Sequence, residues 1–272
     1  KLNSIEYTLP VASAQVKSAI ILAGLYAQGK TIITEPEPTR DHTEIMLNYL
    51  GADIKKEGNN IICTPVKELY AKDIIVPGDI SSAAYFMTAA AICPNSEITI
   101  RSVGLNPTRT GIITAFESMG ADMEIVNKHI QCGEEVGDII VRTSKLKGTV
   151  ISGADIPRLI DEIPVIAVAA CFAEGTTIIK DAQELKVKES NRIKTVVEEL
   201  SKMGADITET DDGMIIKGGK PLNGALTESH NDHRIAMSLA VAALNCNEET
   251  TINNSECVDI SFPNFFNLIN NL

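Results

Sequence analysis

The sequence predicts a mixed α/β (α+β) fold made of repeated β-α-β-α-β-β units, each about 70 residues long. Two observations lead to this prediction. The tripeptide Gly-Ala-Asp marks the repeat at residues 51–53, 120–122 and 204–206, each time after an amphipathic helical stretch and before an alternating, strand-like stretch. Further upstream of each marker lies a stretch of alanine and aliphatic residues that is typical of a second, more apolar helix.

The first helix of each unit is expected to lie in an interior, because it is apolar on nearly every side. These helices are predicted over residues 13–25, 81–92, 163–173 and 234–244. The second helix of a unit is expected at the surface; the one that begins near Asn191 carries one apolar stripe and a charged back. Short β-branched strands between the two helices are predicted over residues 30–34, 97–100 and 176–179.

The fourth unit ends after its second helix, predicted over residues 264–272, and has no closing strand pair. A sheet without those two strands would expose an unpaired edge and an apolar face. We therefore expect residues that precede Lys1 in a longer natural chain to supply them. A Pro-Gly pair at residues 77–78 interrupts a strand run and marks the expected domain boundary, which separates residues 1–76 from residues 77–272.

Charge and composition exclude several classes of partner. The chain has 24 basic and 36 acidic residues, a net charge of −12, so a broad nucleic-acid or anionic-membrane surface is not expected. Aromatic residues make up only 4% of the chain and tryptophan is absent, which argues against a base-stacking platform. A small basic pocket inside an acidic exterior remains compatible with these numbers.

The six cysteines are far apart, with no C-x-x-C spacing and no histidine at a metal-ligand spacing. Neither a zinc site nor a disulfide framework is expected, and small buried thiols in a reducing compartment are the ordinary interpretation. The longest apolar runs are shorter than the roughly 20 residues that a membrane span needs. Together these patterns predict a soluble, cytoplasmic protein.

Polar residues gather where the predicted apolar helices begin. Ser13 and Gln15 open the first of these helices, and they could either cap it or cradle an anion. Asp161 and Glu162 precede the third, where they could compensate the helix dipole or supply a general acid or base. Arg234 stands at the start of the fourth, where a cation is disfavoured by the dipole.

The same conflict recurs at residues 186–192, where Lys186, Lys188 and Arg192 crowd the start of an amphipathic helix. Basic residues at two helix starts, where the helix dipole disfavours a cation, suggest a shared anionic ligand. The guanidinium group of arginine binds both phosphate and carboxylate. The P-loop, dinucleotide-binding and nucleophile-elbow motifs are absent from the sequence. The residues alone therefore predict a repeat-built enzyme acting on phosphorylated or carboxylated small molecules.

Six ordered motifs carry a more specific resemblance. They are LPVASAQVKSA from Leu9, TRDHTE from Thr39, PGDISSA from Pro77, IDE from Ile160, VKESNR from Val187 and NDHRIAM from Asn231. Together they resemble the 5-enolpyruvylshikimate-3-phosphate synthase family, in its class II branch. The resemblance implies an inside-out α/β barrel, with residues 1–76 as the last unit of a mid-chain domain and residues 77–272 as most of a second domain. It also implies that strands from the N-terminal part of the same chain close that second domain.

The implied reaction transfers the enolpyruvyl group of phosphoenolpyruvate to the 5-hydroxyl of shikimate 3-phosphate and releases phosphate. The resemblance implies no metal or organic cofactor, a monomeric enzyme, and no nucleic-acid or membrane partner. Because family ligands upstream of Lys1 cannot be mapped, the chain alone is expected to be inactive. Two alternatives stay open: UDP-N-acetylglucosamine enolpyruvyl transferase, and a non-catalytic fragment that only binds substrate.

Residue roles follow from the resemblance position by position. Asp161 is expected to accept the proton of the 5-hydroxyl, Lys188 to lie between the two substrates, and Glu189 to protonate and deprotonate the enolpyruvyl methylene. The residues expected to bind shikimate 3-phosphate are Ser13, Gln15, Thr39, Asp161 and Lys188. Those expected to bind phosphoenolpyruvate are Gln15, Arg192 and Arg234.

Overall fold

The computed structural model describes all 272 residues, which divide into two compact units. Unit 1 comprises Lys1–Pro77 together with His129–Val136, and unit 2 comprises Gly78–Lys128 together with Gly137–Leu272. The sequence did not predict that the short segment His129–Val136 would group with unit 1. The correspondence of residues 1–76 and 77–272 to domains of a longer protein stays a prediction. No helix in either unit is long and apolar enough to cross a membrane.

Unit 1 is a small sheet with two helices. Its main elements are β1 (Leu2–Asn3), β2 (Glu6–Thr8), α1 (Ala14–Gly24), β3 (Ala27–Gln28), β4 (Thr31–Thr34), α2 (His42–Tyr49), β5 (Asp53–Glu57) and β6 (Asn60–Thr64). The main sheet has the order β2-β4-β6-β5, with β2 parallel to β4 and the other pairs antiparallel. Strands β1 and β3 form a separate parallel pair.

The prediction that α1 is an interior helix is wrong for this structure. Its buried residues are Lys17, Ile21 and Gly24, whereas Val16 is 44% exposed and Leu22 is 49% exposed. The reason is that α1 packs on one side only, against α2 and the main sheet of unit 1. No further layer of unit 1 covers its outer side, although the apolar residues there are of the kind that helices bury.

Unit 2 repeats this arrangement on a larger scale. Its strands are β7 (Glu97–Gly104), β8 (Asp122–Gln131), β9 (Glu134–Arg142), β10 (Val150–Ile151), β11 (Thr176–Ile179), β12 (Asp206–Thr210), β13 (Gly213–Lys217), β14 (Leu226–Glu228) and β15 (Thr251–Asn253). Its helices are α3 (Ile80–Ile92), α4 (Gly111–Ser118), α5 (Ile156–Leu159), α6 (Ile163–Phe172), α7 (Arg192–Lys202), α8 (His233–Ala243) and α9 (Phe265–Ile269). The tip of the β8–β9 hairpin is the segment that groups with unit 1.

The predicted repeat is confirmed by the sheet topology. The sheet β10-β11-β13-β12 has the same strand order along the chain and the same strand directions as the sheet β2-β4-β6-β5. In the β7-β9-β8 sheet a single parallel bridge between Gly78 and Val103 occupies the place of the first strand. The fourth unit contributes only the parallel pair β14-β15, as the sequence pattern indicated.

The marker glycines have a local physical role. Gly51, Gly120 and Gly204 follow α2, α4 and α7, and each adopts a positive φ that favours glycine. In each case the glycine N–H and the next N–H bond back to carbonyls three and five residues upstream, which is the Schellman helix ending. A further Gly-Ala-Asp, Gly153–Asp155, forms a 3₁₀ turn instead, so the tripeptide alone does not diagnose the repeat.

The core of unit 2 forms around three interior helices, α3, α6 and α8, which pack against one another. Helix α6 is buried over its whole central length, and Pro164 starts it in the first turn, where its missing N–H has no cost. The predictions that α3, α6 and α8 are interior are therefore confirmed by their burial. Their polar N-terminal ends supply most of the candidate site.

Candidate active site

Arg192, the first residue of α7, is the largest fully buried side chain of the protein and is 1% exposed. The helix begins here because the Asn191 side chain caps it, accepting a hydrogen bond of 3.2 Å from the N–H of Lys194. Arg192 donates from Nε to Asp232 Oδ2 at 2.8 Å and from Nη2 to Asp232 Oδ1 at 3.2 Å. This fork-to-fork arrangement fixes both charged groups.

Asp232 joins the starts of two helices. It is fully buried, it caps α8 by accepting from the N–H of Arg234 at 3.0 Å, and it accepts from Ser190 Oγ at 3.0 Å. Burial by itself raises the pKa of this carboxyl, but the hydrogen bonds and charge of Arg192 outweigh that effect and hold the pKa below its ordinary value. The sequence pattern indicated no specific role for Asp232, although it lies in one of the six motifs.

Asp161 lies between two guanidinium groups. Its Oδ1 is 3.5 Å from Arg192 Nη1, its Oδ2 is 3.9 Å from Arg234 Nη2, and its backbone carbonyl accepts from Arg234 Nη1 at 3.2 Å. Burial disfavours the charge on Arg234, but the nearby Tyr85 hydroxyl and carboxylates raise its pKa above the ordinary value. The structure thus brings the predicted residues Asp161, Arg192 and Arg234 together.

Lys188 and Glu189 lie on the segment that leads into α7, and each has its own partner. Lys188 Nζ forms an ion pair with Glu184 Oε1, and Glu189 Oε2 accepts from Arg192 Nη2 at 2.5 Å. The Glu189 side chain is half exposed, whereas that of Lys188 is mostly covered. Glu189 therefore belongs to the Arg192 cluster by direct contact, while the place of Lys188 between substrates stays a prediction.

A second buried carboxylate, Glu162, was considered with Asp161 in the sequence as a dipole-compensating residue or a general acid or base, and the family resemblance gave it no role. It is 2% exposed and accepts a hydrogen bond from Ser81 Oγ, which in turn accepts from Arg109 Nη2. Arg109 Nη2 is 3.8 Å and Arg234 Nη1 is 4.0 Å from Glu162 Oε1. Burial raises the pKa of Glu162, and the hydrogen bond and the two arginines oppose that shift. The only sequence signal was its position beside Asp161 before an apolar helix.

The remaining predicted residues, Ser13, Gln15 and Thr39, lie in unit 1. Ser13 caps α1 by accepting from the N–H of Val16 at 3.3 Å, and Gln15 is exposed in the first turn. Thr39 donates from both its N–H (3.2 Å) and its hydroxyl to Glu35 Oε1. The capping role of Ser13 is therefore observed, and its exposed first turn keeps free N–H groups that could receive an anion.

The arginines do not form an open positive surface. Arg192 faces Asp232, Glu189 and Asp161, and Arg234 faces Asp161 and Glu162, so carboxylates neutralise both. For Arg192, only Nη1 lacks a hydrogen bond to a carboxylate. A ligand at this site therefore meets a network of balanced charges rather than a simple basic pocket.

Glu198, Glu199 and His230 form the one cluster whose atoms lie close enough together to hold a metal ion. Glu199, however, is 1% exposed and already binds Lys202 Nζ through both oxygens at 2.8 Å, and His230 Nε2 at 2.8 Å. These interactions, led by the bonds to Lys202, lower the pKa of Glu199 despite its burial. Both oxygens of Glu199 are thus already engaged by an ammonium group.

Comparisons with known proteins bear on this site. A family profile for EPSP synthase (3-phosphoshikimate 1-carboxyvinyltransferase) matches residues 1–269. The 3-phosphoshikimate 1-carboxyvinyltransferase of Thermoanaerobacter sp. (strain X514) is 59% identical over 266 residues, which are 98% of this chain and 63% of the relative. That of Desulforamulus reducens is 53% identical over 269 residues, covering 99% of this chain and 63% of the relative.

The comparison with solved structures also finds EPSP synthase. A structure of EPSP synthase from Acinetobacter baumannii superposes with a TM-score of 0.96 at 48% identity, covering all of this chain and 63% of that one. The chain thus spans a little less than two thirds of the length of the proteins it matches. The matched residues include both units and every helix start described above, and the chain belongs to the EPSP synthase family.

Proposed function

We propose that residues 1–272 are part of an enzyme that transfers the enolpyruvyl group of phosphoenolpyruvate to the 5-hydroxyl of shikimate 3-phosphate. The observation that supports this most is the Asp161 carboxylate between the guanidinium groups of Arg192 and Arg234, at the start of a buried helix. A base beside two anion-binding groups is what this addition requires. Because the chain spans 63% of its relatives, the activity is a proposal for the whole protein.

Phosphoenolpyruvate carries a phosphate and a carboxylate, both of which suit a guanidinium fork. Arg234 is mostly covered but retains an exposed part of its side chain. Arg192 is buried, and its Nη1, 3.5 Å from Asp161 Oδ1, is the nitrogen whose contact a bound anion would have to replace. Both groups already face Asp161, so a bound anion would compete with this carboxylate for their charge. Asp161 would thereby become a stronger base in the complex than in the free protein.

The proposed chemistry divides two proton transfers between two carboxylates. Asp161 takes the proton of the 5-hydroxyl as that oxygen bonds to the central carbon of phosphoenolpyruvate, while Glu189 gives a proton to the methylene carbon. In the tetrahedral adduct, the carbon–oxygen bond to phosphate then breaks and the leaving phosphate takes up the proton held by Asp161. Glu189 recovers a methyl proton, which restores the double bond. Lys188, beside Glu189 in sequence, would stabilise the negative charge that develops on the phosphates.

The residues of unit 1 would bind the second substrate. Ser13 and Gln15 at the start of α1, with Thr39 after β4, supply hydroxyl, amide and backbone donors for the phosphate of shikimate 3-phosphate. Arg40 follows Thr39 directly and is partly buried, so it would add a positive charge beside the phosphate. We propose no metal or organic cofactor, since two carboxylates and the basic groups account for every proton and charge in the scheme.

We also propose that the protein acts in the cytoplasm as a monomer, completed by the N-terminal part of the same polypeptide. Both substrates are small, highly charged anions, which are kept inside a cell by its membrane. The matched relatives are longer than this chain, which supports a contribution from further residues.

The test is a turnover assay on the natural polypeptide that contains residues 1–272, with phosphoenolpyruvate and either shikimate 3-phosphate or UDP-N-acetylglucosamine as acceptor. We expect turnover with shikimate 3-phosphate only, and a loss of at least about 1,000-fold in kcat for Asp161→Ala, because the base is removed. The matched control is Asp211→Ala, an exposed aspartate in the turn between β12 and β13, which should leave kcat unchanged. Turnover with the nucleotide sugar alone, or an active Asp161→Ala, would refute the proposal.

Calorimetry of the 272-residue chain itself addresses the remaining alternative of a fragment that only binds substrate. Shikimate 3-phosphate is titrated with and without phosphoenolpyruvate. Tight binding that is strengthened by the second substrate would indicate that residues 1–272 hold a working site. Binding of shikimate 3-phosphate alone, with no effect of phosphoenolpyruvate, favours the substrate-binding fragment.

A further inference from the structure

Unit 1 contains a lysine that is completely buried. Lys17 lies one turn after the Ser13 cap of α1 and has no exposed surface. Its Nζ is 3.0 Å from Glu35 Oε1 and 2.6 Å from Glu44 Oε1, and both glutamates are themselves buried. We call Lys17, Glu35 and Glu44 the buried triad. None of the three has a role in the proposed chemistry.

The buried triad is not explained by stability alone. Removing an ammonium and two carboxylates from water is expensive, and apolar residues of similar volume often stabilise a fold as well or better. Lys17 lies on the buried side of α1 together with Ile21 and Gly24, where leucine or methionine would be the ordinary choice. Where buried ion pairs have a clear use, they fix the register of the elements they join.

The buried triad joins the elements that carry the proposed phosphate ligands. Ser13 caps α1 and Lys17 lies four residues after it, so they lie on the same side of the helix start. Glu35, directly after β4, holds Lys17 and also accepts both hydrogen bonds from Thr39. Glu44, in the first turn of α2, holds Lys17 from a third element.

A neighbouring contact supports the same arrangement. Ser18 Oγ on α1 and Thr43 Oγ1 on α2 are 2.7 Å apart, so α1 and α2 are joined at two successive positions of each helix. The hydroxyl pair alone would allow α1 to slide or rotate against α2, because it is a single contact between the two helices. Together with the ion pairs, it fixes the start of α1 relative to the loop that contains Thr39.

We infer that Lys17 is a positioning residue that holds the start of α1 and the Thr39 loop in the register needed to bind one phosphate group. This inference rests on the proposed function, since it takes the phosphate of shikimate 3-phosphate as the ligand. Lys17 itself does not touch the ligand, because its ammonium is fully buried between two carboxylates. Its effect is on the placement of Ser13, Gln15 and Thr39.

The experiment compares three variants of the natural polypeptide that contains residues 1–272. Lys17→Met removes the ammonium, and the triple change Lys17→Met, Glu35→Gln and Glu44→Gln removes all three charges while keeping similar shapes. The matched control is Lys30→Met, an exposed lysine in the same unit. The measurements are kcat, the KM for each substrate and the midpoint of thermal unfolding.

We expect Lys17→Met to lower the unfolding midpoint and to raise the KM for shikimate 3-phosphate at least tenfold. The KM for phosphoenolpyruvate should change less than threefold, and Lys30→Met should change nothing. The triple variant should regain thermal stability, because no unpaired charge stays buried, and should keep the raised KM for shikimate 3-phosphate. A merely structural role predicts the opposite: the KM returns to normal as stability returns.

If Lys17→Met does not fold, the triple variant decides the question by itself through its KM. The variants Ser13→Ala and Gln15→Ala separate this inference from the proposed function. Should they raise the KM for shikimate 3-phosphate while the triple variant does not, only the positioning role is overturned. Should neither raise it, the phosphate site proposed for unit 1 is wrong as well.

Discussion

Lys17 in unit 1 and Arg192 in unit 2 are both buried cations that pair with buried carboxylates, but the geometry of the pairing differs. Arg192 is held by hydrogen bonds from Nε and Nη2 to Asp232, and the Asp232 carboxylate also accepts from two further donors, Ser190 Oγ and the N–H of Arg234. Around Lys17, Glu35 Oε2 and both oxygens of Glu44 accept no well-aligned hydrogen bond. The planar guanidinium group can donate hydrogen bonds to both oxygens of one carboxylate at once, whereas an ammonium acts more nearly as a point charge.

The surroundings of the two cations also differ. Unit 1 has one cluster of eight buried apolar residues, namely Leu9, Ile21, Leu25, Ile33, Leu47, Ile54, Ile61 and Cys63. Unit 2 has a far larger continuous core formed by its interior helices and all its sheets. Directional hydrogen bonding and a large core make the Arg192 cluster a rigid part of the fold. The buried triad lies beside a much smaller apolar core, so its ion pairs have a larger share in fixing the local geometry.

The largest effect is expected from Asp232→Asn, which leaves Arg192 buried without its ionic partner. We expect a loss of about 3–5 kcal/mol in the free energy of unfolding, measured by urea denaturation at pH 7. The exposed Asp211→Asn should stay within about 0.5 kcal/mol of the unchanged protein. A loss below 1 kcal/mol for Asp232→Asn would mean that Arg192 does not depend on this carboxylate.

The pH dependence provides a further check on that variant. The pKa of Asp232 is lowered in the folded protein, so its contribution is present above its unfolded value of about 3.9. That contribution is lost as the pH falls through the lower, folded value. The difference between the unchanged protein and Asp232→Asn should therefore shrink below about pH 4. A difference that stayed constant there would contradict the lowered pKa.

Native-state hydrogen exchange tests the comparison of the two cores. We expect the amides of β4 and β6 in unit 1 to exchange through openings of lower free energy than those of α6 and α8 in unit 2, by about 2 kcal/mol or more. The reason is the smaller buried apolar area of unit 1. Equal protection in both sets would show that the two units open together as one cooperative block.

The smallest effect is expected from Glu189→Gln. Glu189 also pairs with Arg192, at 2.5 Å, but its side chain is half exposed and Asp232 still neutralises the guanidinium. We expect a loss of less than about 1 kcal/mol by urea denaturation. A loss as large as that of Asp232→Asn would show that Arg192 needs both carboxylates equally.

Much of the fold could be predicted from local pattern. Helix α6 was expected over residues 163–173 and spans Ile163–Phe172, and β11 has the predicted bounds, Thr176–Ile179. These succeed because a helix that is apolar all round and a β-branched run after a glycine each have one stable environment. The incomplete fourth unit was also recognised, since its strand pattern stops in the sequence itself.

The candidate site was predicted in part. The motifs brought attention to Asp161, Arg192 and Arg234, and the structure places these three in contact. The buried triad, the role of Asp232 and the partners of Glu162 were missed, because a charged residue in a sequence gives no sign of whether it is solvated or buried. The exposure of α1 was missed because the apolar pattern of a helix shows that its residues are suited to burial, but not whether another part of the protein covers them.

The sequence by itself therefore determined the repeated unit, the approximate bounds of the apolar helices and of strands β4 and β11, the glycine endings of the surface helices and the family. These features depend on backbone conformation and on the periodicity of apolar residues, which act over a few neighbouring positions. Only the tertiary structure decided which carboxylate partners each cation. Lys17 and Glu44 are 27 positions apart and Arg192 and Asp232 are 40 apart, and such pairs form only when packing brings distant helix starts together and removes water from between them.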